Sequence, residues 1–134
     1  MKGQQSEEDI VLDTSKAFSG FAVKDVAEAA RFYSETLGMN VSEENGLLSL
    51  HLSDDHVILA YPKDDHIPAS YTILNFPVDD IDAAVGELSE NGVTFERYDE
   101  FTQDERGIAR GDEGPPIAWF TDPSGNILSV LEVS

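Results

Sequence analysis

The sequence contains no cysteine, which excludes disulfides, thiolate metal sites and cysteine nucleophiles. Bases are scarce as well: 8 Lys and Arg stand against 27 Asp and Glu in 134 residues, a formal net charge of -19. A chain of that sign repels a nucleic-acid backbone and an anionic membrane surface, so neither partner is expected. No apolar run approaches the ~20 residues needed to span a bilayer. The opening Met1-Lys2-Gly3-Gln4-Gln5 leads into acids rather than an apolar leader. Together these absences predict a soluble, cytoplasmic protein. The acidity has two readings, an attraction for cations or a solubility feature unrelated to any site.

What is present is a repeat. "FAVKDVAEAARFYSETLG" (Phe21 to Gly38) superposes on "FPVDDIDAAVGELSENG" (Phe76 to Gly92), with Phe21 on Phe76, Val23 on Val78, Asp25 on Asp80 and Val26 on Ile81. With one residue deleted near the end of the second stretch, Gly38 meets Gly92. Asp25 and Asp80 stand where an N-cap carboxylate would accept from the first free amides of a helix. Glu28, three residues after Asp25, strengthens the first cap. Val26, Ala29, Ala30, Tyr33 and Leu37 then share one helical face, as do Ile81, Ala84, Val85 and Leu88. Gly38 and Gly92 suit the left-handed position that ends a helix. Strand-like stretches follow at 40–43, 47–52 and 57–61 in the first unit, and at 94–98, 117–121 and 127–133 in the second. The chain therefore reads as βαβββ written twice, one domain of α+β class.

Near the C-terminus, "WFTDPSGNILSVLEV" (Trp119 to Val133) holds a strand, a type I turn at Asp122-Pro123-Ser124-Gly125 and a second strand. This hairpin, the doubled unit and the early "FAVKDVAEAARFYSETLGM" together resemble the vicinal oxygen chelate superfamily, which includes glyoxalase I, extradiol dioxygenases and bleomycin-resistance proteins. The resemblance covers about Ala17 to Val133. It implies two tandem modules, about 17–65 and 70–134, whose curved mixed sheets form a cup. The tail at 1–16 is expected to be partly disordered, since Met1 to Glu8 lack apolar residues, while Asp9 to Asp13 could add an edge strand. It also implies where a divalent ion would be held in the metal-dependent members: on the first and last strand of each module. Carried over by position, those places fall on Phe18, Leu59, Ile73 and Ser129. Phenylalanine, isoleucine and leucine offer no N or O donor, so neither a metal nor another cofactor is expected.

Strand alternation turns Phe18, Gly20, Val57, Leu59, Tyr61, Ile73, Asn75, Ile127, Ser129 and Leu131 to the cup and Phe21 and Phe76 to the helices. Apolar walls with a few polar tips match the make-up of small-molecule pockets; the same surface would equally serve as core or subunit interface. Trp119 borders the cup, with its facing open. The stretch Arg97 to Pro116 carries three of the four arginines, Arg97, Arg106 and Arg110. It reads either as a lid that brings an arginine to an anionic ligand or as a surface loop whose arginines pair with Asp104, Glu105 and Asp112. His51 and His56, flanking Asp54 and Asp55, and His66 nearby, are candidates for a surface cation site, against the ordinary reading as solvated turn histidines.

Two functions follow. One is a metal-free protein that sequesters a small apolar or aromatic molecule through Phe18, Leu59, Tyr61, Ile73, Asn75, Arg97, Trp119 and Ser129. The other is an enzyme of lyase, isomerase or oxygenase type, with a displaced metal site or acid–base chemistry at Asn75, Tyr61, Tyr98 or Glu100. A pure interaction module ranks below both. Because the family builds cups from paired modules and open sheets leave edges to cover, a homodimer is expected.

Overall fold

The computed structural model describes residues 11–53, 55–111 and 114–133. The first unit runs β1 (Ser19–Val23), α1 (Val26–Arg31, widening into a π-helical turn over Phe32–Thr36), β2 (Asn40–Glu44), β3 (Leu47–Ser53) and β4 (His56–Pro62). The second runs β5 (Thr72–Val78), α2 (Ile81–Glu90), β6 (Ile117–Thr121) and β7 (Ile127–Glu132). In each unit the first strand lies parallel to the last, and the order across the sheets is β1-β4-β3-β2 and β5-β7-β6. The expected tail at Met1 to Glu8 lies outside the described residues, as do Asp9 and Ile10. Val11 to Asp13 form no strand, and Asp13 instead caps a single 3-10 turn over Thr14–Lys16.

The helix boundaries follow the sequence signals. Asp25 Oδ1 accepts from the Glu28 amide and Asp80 Oδ1 from the Ala83 amide, each at 3.1 Å. Gly38 and Gly92 take φ values of 75° and 98°, the left-handed conformation that Gly adopts without strain. Both helices lie against the same side of the sheets. One core therefore spans the two units, joining Val23, Ala29 and Tyr33 to Leu48, Leu50, Ile81, Val85, Phe120 and Leu128. Each large aliphatic or aromatic side chain so buried contributes about 1.5–3 kcal/mol.

The second unit departs from the repeat. Residues 94–98, expected as a strand, form no regular ladder. Only the Glu96 amide reaches β6, at the Trp119 carbonyl, 2.7 Å away. The next ladder position is already taken: Ala109 and Ile117 exchange both backbone bonds, at 2.8 and 3.0 Å. The outer edge of β6 is thus shared by two segments of the long loop instead of one strand.

The turn after β6 does more than reverse the chain. Asp122 is buried, and its carboxylate accepts from the Ser124 and Asn126 amides, from Asn126 Nδ2 and from the Tyr33 hydroxyl, at 2.7 to 3.0 Å. Asn126 Nδ2 also donates to the Ala22 carbonyl, and Ser124 Oγ accepts from the Lys24 amide, both at 2.9 Å. The hairpin turn of one unit is in this way bonded to α1 and to the end of β1 in the other. Burial, together with the neighbouring carboxylate, pushes the Tyr33 phenol well above its ordinary pKa, so it remains a donor throughout the accessible pH range.

Hydrogen bonds to charged groups contribute about 1.5–3 kcal/mol, and a buried group left without a partner costs about as much again. Tyr33→Phe is therefore expected to lower the unfolding free energy by about 1–2 kcal/mol and Asp122→Ala by about 3 kcal/mol or more in urea titrations. Once Asp122 is gone, adding Tyr33→Phe should cost almost nothing. Simple additivity of the two would contradict the latch.

Candidate functional site

The face of each sheet turned away from the helices is concave. Register sets its residues: Asn75 pairs with Ser129 and Ser129 with Trp119, so the three form one row across β5, β7 and β6. Their neighbours Leu128, Val130, Ala118 and Phe120 point the opposite way, into the core. The facing of Trp119 is thereby settled on the concave side. On the first sheet, Gly20 pairs with Leu59, and Leu59 alternates with the core residues Ile58 and Ala60.

The proposed site residues fall into three groups. Tyr61, Ile73 and Asn75 line a cleft of about 910 Å³ between the exposed edges of β1 and β5, shared with Gly20, Ile67 and Tyr71 and with the polar His56, Lys63, Asp65, His66 and Asn126. Phe18 and Leu59 border a smaller hollow of about 270 Å³ with Val57 and residues of the 3-10 turn. Phe18 precedes β1 rather than belonging to it and is 65% exposed. Trp119 lines a third cavity, of about 280 Å³, with Tyr71, Thr72, Tyr98, Glu100, Phe101 and Ile127. Arg97 joins none of these linings: it is exposed and donates to the Asp104 carbonyl at 2.7 Å.

Ser129 has no exposed surface, and its hydroxyl donates to Asn75 Oδ1 at 2.6 Å. That observation bears on the metal that the fold can carry elsewhere. Of Phe18, Leu59, Ile73 and Ser129, only Ser129 owns a donor atom, a neutral hydroxyl already committed to an amide oxygen. Such a set does not fit a divalent ion. His51 Nε2 lies 2.9 Å from Ser42 Oγ and His66 Nε2 lies 3.1 Å from Asn126 Oδ1, while His56 and His66 both line the large cleft. Among the described residues no three His, Asp or Glu side chains are grouped so as to hold a metal; Asp54 lies outside them.

The loop after α2 packs over the second sheet. Tyr98 meets the indole of Trp119 edge-on at 5.3 Å between ring centroids, and Phe101 lies tilted against it at 4.8 Å. Gln103 ties the loop together, accepting from the Tyr98 amide and donating to the Glu96 and Gly107 carbonyls at 2.8 to 2.9 Å. Ile108 and Ala109 of the same loop are buried. The arginines anchor its far side. Arg106 reaches the Asp82 carboxylate and carbonyl at 3.2 and 2.9 Å, and Arg110 the same carboxylate at 2.7 Å. Pairing is thus mainly with Asp82 in the first turn of α2, and Arg110 lies 3.8 Å from Asp104; Asp112 lies outside the described residues. A Cβ on Gly86 would come within 3.2 Å of Arg106 Nη2, so a glycine in mid-helix makes room for this contact. Sequence reasoning missed Asp82 and Gly86; the glycine inside a helical pattern was the available signal.

The acid–base candidates are divided between cavities, with Tyr61 and Asn75 at the large cleft and Tyr98 and Glu100 beside Trp119. Among the described residues no helix is long and apolar enough to cross a membrane.

The model of the Glyoxalase/Bleomycin resistance protein/Dioxygenase superfamily matches residues 17–130. No curated protein matches the sequence. Solved structures similar to this chain include TnmS3, an antibiotic binding protein from Streptomyces sp. CB03234, at 21% identity over 93% of this chain and 99% of that one, with a TM-score of 0.63. A superfamily member from Sphaerobacter thermophilus is 23% identical over 87% and 97% of the two chains, with a TM-score of 0.66. The fosfomycin resistance protein FosX from Listeria monocytogenes is 12% identical over 88% and 92%, also with a TM-score of 0.66. At these identities the likeness is one of fold. The matched family model extends over most of the chain, and the protein belongs to the glyoxalase/bleomycin resistance protein/dioxygenase superfamily.

Proposed function

We propose that this protein binds a small, largely apolar or aromatic molecule in its cup without a metal ion, as a sequestering protein. The observation that carries this reading is the Ser129–Asn75 hydrogen bond. It occupies the one polar group among the four positions that the resemblance implies for a metal, so that affinity would come from burial against Leu59, Tyr61, Ile67 and Ile73, with the polar groups that also line the large cleft, among them His56, Lys63, Asp65 and Asn126, orienting the ligand. Similarity to an antibiotic binding protein supports such a role.

A second copy of the chain completes the arrangement. In the second unit the loop carrying Tyr98 and Phe101 packs on Trp119, whereas beside β1 and on β4 of the first unit Phe18 and Tyr61 remain exposed. Exposed apolar surface beside the open edge of β1 is what a partner subunit would bury.

N-phenyl-1-naphthylamine, a neutral apolar fluorophore, is expected to bind saturably to EDTA-treated protein, with quenching of Trp119. Tyr61→Asp, a substitution at a partly exposed position, should weaken binding about tenfold by replacing an aromatic contact of the cleft with a charge. Restoring magnesium or manganese should change nothing; binding that requires the metal would contradict the reading. Sedimentation equilibrium at micromolar concentration and moderate salt should give a dimer, shifted toward monomer by Phe18→Glu. A monomer for the parent protein would refute the assembly.

A further inference from the structure

The cavity beside Trp119 is chemically different from the large cleft. Its walls are aromatic: Tyr98, Phe101 and Trp119 form a contiguous cluster, and Tyr71, 69% exposed, lines the same space from the segment leading into β5. The remaining lining consists of Ser70, Thr72, Ile127 and Glu100. Glu100 is the only ionised side chain among these residues, and no Lys or Arg is present to neutralise it. The nearby arginines are committed elsewhere, Arg97 to the Asp104 carbonyl, and Arg106 and Arg110 to Asp82.

An anion finds no donor of opposite charge in such a cavity. A neutral aromatic would gain the rings but nothing from Glu100. A cation gains both, because aromatic faces carry negative electrostatic potential and attract ammonium groups within about 6 Å of their centroids. The Tyr98 phenol is consistent with this field: desolvation first, then the charges of Glu96 and Glu100, raise its pKa above the ordinary value. The net charge of -19 acts in the same direction at longer range, raising the local concentration of cations.

We propose that the cavity formed by Tyr71, Tyr98, Phe101 and Trp119 with Glu100 is a recognition site for an organic cation, a quaternary or protonated amine attached to an apolar or aromatic body. This deepens the small-molecule reading, and rests on it, by assigning the charged end of the ligand to the Trp119 cavity. The volume, about 280 Å³, accommodates a trimethylammonium head with part of an attached ring, and Tyr71 and Thr72 line both this cavity and the large cleft. Glu100 forms part of the binding wall and supplies charge, not chemistry.

The test uses the full-length protein labelled with 15N. A single tryptophan gives a single indole N–H cross-peak, which reports on this cavity alone. (3-Hydroxyphenyl)trimethylammonium is titrated against its neutral isostere 3-tert-butylphenol, the two differing only in nitrogen for carbon. The cation should shift the indole peak saturably and bind at least tenfold more tightly than the isostere. Glu100→Gln should weaken the cation three- to tenfold and leave the isostere unchanged. Tyr98→Leu should weaken both, and the cation more. Should a variant be poorly folded, the parent comparison of cation with isostere still decides. Equal affinities in the parent protein, or an indole peak unmoved by either compound, would overturn the proposal. If N-phenyl-1-naphthylamine still binds saturably in that case, only the cation assignment fails; if it does not bind either, the small-molecule reading fails with it.

Discussion

The two halves of this protein are held in register by one buried carboxylate. Asp122 accepts four hydrogen bonds, one of them from Tyr33 in the other unit. A buried charge is tolerated only when its donors are in place. The turn, the widened helical turn carrying Tyr33 and the end of β1 must therefore arrive together. The cleft between the β1 and β5 edges exists because this latch and the shared core fix both sheets relative to each other. Displacement of the latch would alter the cup before it altered either unit.

Much of the architecture is legible in the sequence because it depends on local chemistry. An aspartate before an apolar helical stripe and a glycine after it mark both helices, and the structure finds both caps and both left-handed glycines. Alternation likewise separates Leu59 and Ser129 from Ile58, Leu128 and Val130. Non-local competition is invisible to that reasoning. The stretch at 94–98 has a strand's composition, but Ala109, more than ten residues later, occupies the ladder position it would have needed. The loop arginines have several carboxylates within a few residues, and the one they mainly use, Asp82, is more than twenty positions away. The hairpin turn announced its geometry through Pro123 and Gly125, while its partnership with Tyr33 required the fold.

The concave surface shows how an inherited framework can change its chemistry. Ser129 and Asn75 sit opposite each other on neighbouring strands and satisfy each other. A hydroxyl committed to an amide oxygen keeps a buried position polar without inviting an ion. With apolar residues at Phe18, Leu59 and Ile73, the proposed reading takes burial, rather than coordination, as the source of affinity. Sequence placed Arg97 in the cup, whereas its guanidinium donates to the Asp104 carbonyl, and Glu100 is the one charged side chain among the described residues lining the cavity beside Trp119. The net charge of -19 and the proposed cation site agree in sign.

The central claim, that the cup holds an organic molecule without a metal, is tested most directly by native mass spectrometry of the purified protein, combined with elemental analysis of the same sample. The account expects a saturable organic adduct retained after chelator treatment, with no stoichiometric metal. A stoichiometric divalent ion whose removal releases the adduct would contradict it.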